Sequence, residues 1–477
     1  MKLRIDKLLL YRYRFHVGYS LLGLAFVFIL IFLPTIAPGG ISSAEMQSAI
    51  TSSNLSANLS DGNFINFPYH LLQDLSIGIF GLSIYAIKLP SIIFGFATGI
   101  LLILLLNRWF RTNVALLASI ITILSPLFLF LAGSGTPAIL YIFWITLILW
   151  LGAKIVGEKS VSPFVFLTFF AAIVLSIYTP HLVYIALGIG LVASTRPHIR
   201  FAIKKTRIPQ LIIALSVIAL LIVPLIVACF IRPTNLQEIF FSLSPESYID
   251  NVISAFAPFF SFGTALESVF LSPLFGLATV ALIIIGGVAS MRILFTSRNT
   301  AVSLLIIFAI VISGLNPDAA VIIFIPAAIL VAVGIESVLE KWYSLFPTNP
   351  YARVFGLLPV ATFVGIIVIS GFIYTIFGYH YSPSVARQFD DDISLVNANL
   401  PTGTILLVEE DTLAHDFFKI LENDNRITVT SALPDRTDTC VATLGAWEED
   451  INLDLSTIIT SSKSQNSDRL YIYNCAN

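Results

Sequence analysis

A polar loop follows the first hydrophobic segment and carries side chains that could do chemistry. It contains Glu45, Asp61, His70 and Gln73, and Lys88 follows where the next hydrophobic segment begins. A carboxylate held just above a membrane can act as a general base towards a hydroxyl group, provided that neighbouring groups position it. The loop is therefore the first candidate for a catalytic site, with Glu45 and Asp61 as candidate bases.

Glu45 also has a purely structural interpretation. Ser42 and Glu45 have the spacing of a capping box, in which a serine caps a helix and the acid three residues later bonds back to it. A negative charge in the first turn also favours the helix dipole. From the spacing alone, Glu45 can be a capping acid or a catalytic base, and both interpretations stay open.

Four further side chains are candidates for binding a phosphate or a substrate. His70 and Gln73 lie three residues apart and share one helical face; they could bind a phosphate or a sugar hydroxyl, or simply lipid headgroups and backbone. Lys88 and Arg232 stand at the ends of hydrophobic segments, where a cation either anchors a lipid phosphate or snorkels towards water. The planar fork of arginine suits phosphate better.

The elements that must position these residues are membrane helices. The 477 residues are 57% hydrophobic and 11% charged, whereas soluble proteins contain about 25% charged residues. Hydrophobic runs long enough to cross a bilayer recur along the chain. We predict about eleven spans, at 17–37, 84–106, 113–132, 137–156, 162–179, 181–195, 209–231, 270–293, 300–315, 319–339 and 354–379.

Basic residues predict the orientation of these spans, because Lys and Arg near span ends stay in the cytoplasm. Among the spans, only Lys88 and Arg232 fall on the opposite side. The N-terminus is therefore expected in the cytoplasm of a plasma (inner) membrane, with outward loops at 38–83 and 232–269. Apolar residues at helical spacing in the second loop predict short amphipathic helices. The net charge of −2 gives no sign of a nucleic-acid partner.

The composition changes near residue 380, after which acidic residues are frequent. We predict a membrane domain over 1–379 and a small extracytoplasmic α/β domain over 380–477 with a partly parallel sheet. Cys440 and Cys475 could pair in an oxidising compartment, which would stabilise the domain by about 3 kcal/mol, or could stay as thiols. Helices are predicted at 384–399 and 411–422, and strands at 403–409, 426–430, 440–444, 457–460 and 469–473.

Several short motifs resemble those of GT-C glycosyltransferases of the protein O-mannosyltransferase and aminoarabinose-transferase type. They cover about residues 38–150 and read Asn66-Phe67-Pro68-Tyr69-His70, Ile79-Phe80-Gly81-Leu82-Ser83, Lys88-Leu89-Pro90-Ser91 and Asn107-Arg108-Trp109-Phe110. The resemblance implies a polytopic α-helical fold of the GT-C type. It also implies transfer of a hexose or pentose from a polyprenyl-phosphate donor on the non-cytoplasmic face to a lipid, glycan or protein acceptor of the envelope.

Carried onto this sequence, the resemblance places Glu45 at the first-loop acid and Lys88 at the basic position of the third motif. The implied mechanism is a single displacement with inversion, in which Glu45 is the base and Lys88, His70 and Arg232 stabilise the departing lipid phosphate. The sequence departs from the family pattern in the first loop, where the usual aspartate is absent. The second outward loop, Gly133-Ser134-Gly135-Thr136-Pro137, has no acid or arginine.

Two alternatives follow from these departures and from the composition. The first is a non-catalytic GT-C-like envelope-assembly protein that also contacts membrane lipids. The second is a lipid or solute transporter, which the near absence of ionisable residues within the spans and of internal repeats disfavours. No His/Cys cluster predicts a zinc site, and neither a divalent metal nor another cofactor is predicted.

Overall fold

The structure is a computed structural model, and it describes most of the chain. The described residues are 14–36, 39–157, 162–195, 208–240, 248–261, 265–267, 270–292, 296–345, 350–379, 381–424, 427–432, 440–445, 453–461 and 469–473. The basic residues that precede Arg14, which contributed to the predicted orientation, lie outside them.

Most of the described residues are α-helical. In chain order the helices are α1 (Arg14–Ile36), α2 (Ser43–Ser53), α3 (Leu55–Ser60), α4 (Phe67–Phe80), α5 (Ile84–Trp109), α6 (Thr112–Ile123), α7 (Pro126–Gly133), α8 (Ile139–Gly157), α9 (Pro163–Ser176), α10 (Val183–Thr195), α11 (Ile208–Ile231), α12 (Thr234–Phe240), α13 (Tyr248–Phe260), α14 (Leu277–Met291), α15 (Ser297–Leu315), α16 (Phe324–Leu345), α17 (Pro350–Ile373), α18 (Pro383–Ala386), α19 (Asp392–Asn399) and α20 (Leu413–Phe418). Short 3₁₀ turns at Pro317–Ile323 and Lys419–Asp424 and a π turn at Tyr374–Gly378 join them.

Apolar helices occupy every predicted span. Among the described residues, five are long and apolar enough to cross a membrane, namely α5, α8, and the segments Ile212–Ile231, Arg298–Leu315 and Pro317–Ser344. Five shorter apolar helices are Gly23–Phe32, Pro163–Ser176, Val183–Val192, Leu277–Met291 and Val364–Gly378. The chain is thus an integral membrane protein, and the number of crossings stays a prediction.

The predicted span at 113–132 contains a bend, because two helices occupy it. Helices α6 and α7 meet at an angle of 62°. Pro126 lacks an N–H and disfavours helical geometry in the preceding residue, and Ser125 is accordingly extended, with ψ 149°. The hydroxyl of Ser125 then accepts a hydrogen bond from the N–H of Phe128 and caps α7.

Glycines allow two of the membrane helices to pack backbone against backbone. A Cβ atom at Gly286 of α14 would overlap the carbonyl oxygen of Leu330, and one at Gly334 of α16 would overlap that of Leu282. Small residues let helices approach closely in membranes, where dispersion contacts stabilise their association. Most of α16 is buried, so this contact lies at the centre of the helical domain.

The C-terminal part forms a mixed five-stranded sheet. Its strands are β5 (Thr404–Leu407), β6 (Ile427–Thr430), β7 (Val441–Leu444), β8 (Leu455–Thr460) and β9 (Arg469–Tyr473), in the order β6-β5-β7-β9-β8. Strand β5 is parallel to β6 and β7, whereas β9 is antiparallel to β7 and β8. The predicted strands and the partly parallel pairing are therefore present.

The structure also bears on the predicted disulfide and on the two predicted helices of this part. Cys440 is disulfide-bonded. Cys475, the residue with which it could pair, lies outside the described residues. The single predicted helix at 384–399 is wrong, because strand β4 (Phe389–Asp390) separates α18 from α19. The predicted helix at 411–422 shortens to α20 and continues as a 3₁₀ turn.

The predicted outward loop at 232–269 contains the predicted short helices, α12 and α13. An antiparallel hairpin of β2 (Ala265–Glu267) and β3 (Phe270–Ser272), which no sequence pattern predicted, extends from the end of this loop into the start of the predicted span at 270–293. Helix α13 is strongly amphipathic by its residue pattern, and its position relative to the bilayer stays a prediction.

A strand pair connects the first loop to the C-terminal part. Strand β1 (Ile41–Ser42) pairs antiparallel with β4, so that Ile41 lies opposite Asp390 and Ser42 opposite Phe389. One apolar core extends across the connection and includes Ile41, Met46 and Ile87 together with residues of the C-terminal sheet and helices. The C-terminal part therefore packs directly on the loop that carries the candidate site.

Candidate functional site

Glu45 lies in the first turn of α2 and is completely buried. The hydroxyl of Ser42 accepts from the N–H of Glu45 at 3.4 Å, and Oε2 of Glu45 accepts from the N–H of Ser42 at 2.8 Å and from its hydroxyl at 3.2 Å. This is a complete capping box, which confirms the structural interpretation of Glu45. The other oxygen, Oε1, accepts from the N–H of Gly135.

Lys88 supplies the positive charge beside this carboxylate. Its Nζ lies 3.6 Å from Oε1 of Glu45, and each side chain is only 1% exposed. Nζ also donates to the carbonyl oxygen of Gly40 at 2.7 Å and lies 6.0 Å from the ring centroid of Phe389. Helix α5 thus brings a cation to the start of the first loop, where a buried ion pair forms.

Gln73 of α4 ties this ion pair to the rest of the loop. Its Nε2 donates to the carbonyl oxygens of Ile87, at 2.8 Å, and Gly135, at 3.1 Å. Its Oε1 accepts from the hydroxyls of Ser48, at 2.8 Å, and Ser52, at 2.6 Å. All four hydrogen-bonding positions of the amide are therefore filled by the protein, which gives Gln73 a structural role instead of the predicted contact with substrate.

Gly135 is the residue that the sequence did not identify. Its N–H binds Glu45, its carbonyl oxygen accepts from Gln73, and a Cβ atom there would lie 2.7 Å from a methyl group of Ile87. Glycine is thus required for close packing at this point. The segment 133–137, which lacks the charged residue of the family pattern, contributes backbone groups to the site instead.

His70 lies one helical turn before Gln73 and contacts the same serine. Its Nδ1 is 2.8 Å from the hydroxyl of Ser52, and the residue is 7% exposed. Burial lowers the pKa of His70 to about 4, because the charged ring loses its hydration. His70 is therefore neutral near pH 7 and brings no positive charge to a phosphate, contrary to the predicted role.

We expect this histidine to make stability fall in mild acid. Between about pH 6.5 and about pH 4 the unfolded chain binds a proton at this position and the folded chain does not, so the free energy of unfolding decreases as the pH drops through this window. Below about pH 4, this difference in proton binding has lowered the free energy of unfolding by about 3 kcal/mol in total. Thermal unfolding in detergent at pH 7 and pH 4.5 should show a smaller loss for His70→Asn than for the wild type. Equal losses would contradict the burial of a neutral ring.

The remaining predicted residues lie apart from this cluster. Asp61 is exposed at the C-terminal end of α3. Arg232 follows α11, and its side chain binds Thr234 at 2.8 Å and Glu238 at 3.6 Å, both on its own segment. No contact between the described residues joins Arg232 to Glu45, so the structure brings Glu45, Lys88, Gln73 and His70 together and leaves Arg232 and Asp61 apart from them.

The strand pair of β1 and β4 lies over the ion pair, because Gly40 precedes β1 and Phe389 lies in β4, and both residues are next to Nζ of Lys88. Gly40 precedes β1 with a φ of +95°, and a Cβ atom there would lie 2.6 Å from the carbonyl oxygen of Asp390. Asn397 of α19 donates to the carbonyl oxygen of Leu82 at 2.7 Å beside it. A cavity of about 210 Å³ lies at this junction, with Tyr85 in its lining.

Replacing Gly40 by alanine is expected to loosen this cover. The positive φ and the overlap with Asp390 should together cost about 2 to 4 kcal/mol. Gly78→Ala in α4 is the matched control, because a Cβ there meets nothing within 4 Å and alanine favours a helix by up to about 1 kcal/mol. Thermal unfolding of both variants measures the difference; a Gly40→Ala protein as stable as the control would contradict the strand pairing.

The cluster can supply a carboxylate, an ammonium group and a neutral imidazole on adjacent segments. Both oxygens of the Glu45 carboxylate accept hydrogen bonds from the protein. The longest hydrogen bond to this carboxylate, at 3.2 Å, comes from the hydroxyl of Ser42. Among the described residues, no group of three or more His, Cys, Asp and Glu side chains could hold a metal ion. The charged side chains of the cluster offer a base beside a cation.

Comparison with known proteins identifies the fold. Residues 68–227 match the model of a family described as dolichyl-phosphate-mannose-protein mannosyltransferase. No curated protein matches the chain by sequence. Among solved structures, ArnT from Cupriavidus metallidurans bound to undecaprenyl phosphate is similar with a TM-score of 0.52 at 13% identity, covering 96% of this chain and 98% of that chain. The apo form of ArnT gives a TM-score of 0.54 at 12% identity with the same coverage.

An archaeal protein shares the fold as well. The oligosaccharyltransferase AglB from Archaeoglobus fulgidus, in complex with an inhibitory peptide and a dolichol-phosphate, has a TM-score of 0.50 at 12% identity and covers 88% of this chain and 64% of that chain. The family match and these folds confirm the resemblance to the GT-C superfamily of membrane glycosyltransferases.

Proposed function

We propose that this chain, which has the GT-C fold and matches the mannosyltransferase family over residues 68–227, transfers a sugar from a polyprenyl-phosphate donor to an acceptor of the cell envelope. The acceptor is a lipid, a glycan or a protein. The reaction takes place on the outer face of the plasma (inner) membrane. The distribution of basic residues supports this orientation, because it places the first loop and the C-terminal part outside.

The buried pair of Glu45 and Lys88 carries the proposal. Removing two charges from water costs several kcal/mol for each ion, and apolar side chains of similar size often stabilise a protein as well or better. The pair between α2 and α5, in which each side chain is only 1% exposed, is therefore costly for stability, and a catalytic role would explain why it is present. Charged groups held in such surroundings are common in catalytic sites.

In the proposed reaction, the acceptor hydroxyl attacks the anomeric carbon of the sugar and its proton passes to Oε2 of Glu45. The bond between the anomeric carbon and the phosphate oxygen breaks, a new glycosidic bond forms with inversion, and the polyprenyl phosphate leaves with its negative charge. The ammonium group of Lys88 stabilises that charge. Arg232 has no part in this step, because its partners lie on its own segment.

The proposed reaction requires the site to open. The hydroxyl of Ser42 must release Oε2 before an acceptor hydroxyl can bind there, and strand β4 must move away from β1 to admit a lipid headgroup near Lys88. Catalytic hydrogen bonds commonly form only in the complex with substrate, so a closed arrangement is compatible with catalysis.

A second candidate is a non-catalytic GT-C-like protein of envelope assembly. One observation favours it: both oxygens of Glu45 already bind groups of the protein, and the carboxylate completes a capping box. In that case the chain would bind the lipid phosphate without transferring a sugar.

Ligand-dependent thermal stability tests the proposed class of donor. Purified protein in detergent is heated with polyprenyl phosphate, with polyprenol of the same chain length or with a soluble nucleotide sugar. We expect stabilisation by polyprenyl phosphate alone, since a ligand stabilises the state that it binds. Stabilisation by the nucleotide sugar, with none by polyprenyl phosphate, would contradict the proposal.

A further inference from the structure

The amide of Gln73 has only one orientation that satisfies its surroundings. One end of the amide faces two carbonyl oxygens, those of Ile87 and Gly135, so this end must be the NH₂ group. The other end is therefore the carbonyl oxygen, which has no proton to give. It must accept a hydrogen from each hydroxyl that lies within bonding distance, those of Ser48 and Ser52.

This orientation, together with the carbonyl oxygen of Ser48 at 2.9 Å, commits the single proton of Ser52 to an oxygen acceptor. Its hydroxyl oxygen lies 2.6 Å from Oε1 of Gln73, and two oxygen atoms at that distance need a proton between them. Only Ser52 can supply it. The same oxygen also lies 2.8 Å from Nδ1 of His70, and with its proton already used it can only accept there. Nδ1 of His70 must therefore carry a hydrogen.

A neutral imidazole with a hydrogen on Nδ1 has an unprotonated Nε2. Burial favours this neutral ring over the charged one. Within the described part of the chain Nε2 of His70 has no partner, yet it is not sealed off from solvent. His181 differs in this respect, since both of its ring nitrogens are completely buried and without a partner among the described residues.

We propose that His70 is a specificity-determining residue whose unprotonated Nε2 accepts a hydrogen bond from a hydroxyl of the substrate, on the donor sugar or on the acceptor, and does not hold the phosphate. The inference rests on the proposed function for the identity of the substrate. The position of the hydrogen on the imidazole ring follows from the hydrogen bonds of Gln73, Ser48 and Ser52 and does not depend on the substrate. A polyol is the class of ligand that presents hydroxyl donors to such a nitrogen, whereas a phosphate dianion presents only acceptors.

The ring can be tested without any substrate. Protein labelled with ¹⁵N-histidine is examined by NMR at pH 7, and His70 is assigned as the signal that disappears in His70→Gln. We expect a protonated Nδ1 and an unprotonated Nε2, and we expect Ser52→Ala to shift the proton towards Nε2. A hydrogen on Nε2 in the wild type would overturn the inference and leave the proposed function intact.

Binding measurements then identify the group that His70 recognises. His70→Asn keeps an amide near the position of Nδ1 and removes the acceptor at Nε2, whereas His70→Gln can place an oxygen near Nε2. We expect His70→Asn to bind polyprenyl phosphate as the wild type does, but to weaken binding of polyprenyl-phosphate mannose roughly threefold to tenfold if the hydroxyl belongs to the donor. His70→Gln should recover part of this loss.

The other outcomes either assign the hydroxyl to the acceptor or overturn the inference. If both lipids bind normally and only the KM for the acceptor rises, the hydroxyl belongs to the acceptor. Weaker binding of plain polyprenyl phosphate would assign His70 to the phosphate and overturn the inference. His181→Asn is the matched control, because asparagine tolerates its φ of +63°, and it should leave the ratio of the two affinities unchanged. If the wild type binds neither lipid, the proposed function fails while the state of the ring stands.

Discussion

Lys88→Met is expected to destabilise the protein by about 3 to 5 kcal/mol. The substitution removes the ammonium group that lies beside Glu45 and, within the described part of the chain, leaves the buried carboxylate with neutral partners. Such an uncompensated charge is far more costly than the loss of an exposed ion pair. Thermal or denaturant unfolding in detergent should show the loss directly.

Two further variants show whether the loss of stability in Lys88→Met comes from the buried, unpaired carboxylate. The double variant Lys88→Met/Glu45→Gln removes both charges and should recover most of the lost stability, because glutamine can still complete the capping box with Ser42. Arg232→Met breaks an ion pair whose side chains are 40% and 43% exposed and should cost at most about 1 kcal/mol. A loss at Lys88 no larger than that at Arg232 would contradict the burial of the pair.

Glu45→Gln is expected to reduce sugar transfer by roughly 10²- to 10⁴-fold, which is the usual contribution of a general base. The amide cannot take the proton of an acceptor hydroxyl, although it keeps the shape of the side chain and its place in the capping box. The measurement is the rate of polyprenyl phosphate release at saturating donor, compared with the donor affinity of the same variant.

Ser42→Ala separates catalysis from capping. It removes the hydroxyl that caps α2 and bonds to Oε2 of Glu45, which should cost about 1 kcal/mol of stability. It leaves the carboxylate in place, so transfer should persist within a few-fold of the wild type at a temperature where both are folded. Equal loss of activity in Ser42→Ala and Glu45→Gln would indicate that the capping box, and not the base, is what transfer requires.

Local patterns predicted the parts of the fold that depend on nearby residues. Runs of apolar residues located the helices of the predicted spans, and the spacing of Ser42 and Glu45 predicted the capping box. The break at Pro126 was missed because an apolar run looks the same on both sides of a bend. The helix at 384–399 was wrong because Phe389 and Asp390 pair with β1, a contact over more than three hundred residues that no local preference encodes.

The candidate site was predictable only in part for the same reason. The charges of Glu45 and Lys88 stand out in an apolar sequence, and the resemblance placed both residues in one implied mechanism. Gly135 contributes an N–H and a carbonyl group, which every residue except proline possesses, so nothing in its side chain marks it. Arg232 resembled Lys88 in its position at the end of a span, but its neighbours Thr234 and Glu238 hold it elsewhere.

The most direct measurement of the central proposal is the release of polyprenyl phosphate from polyprenyl-phosphate-linked sugars by the purified protein. A panel of hexose and pentose donors is incubated in detergent with an envelope extract as the source of acceptor, and Glu45→Gln/Lys88→Met serves as a folded control. We predict release and sugar transfer from at least one donor by the wild type and almost none by the control. Binding of the donors without release, or equal release by both proteins, would contradict the proposal.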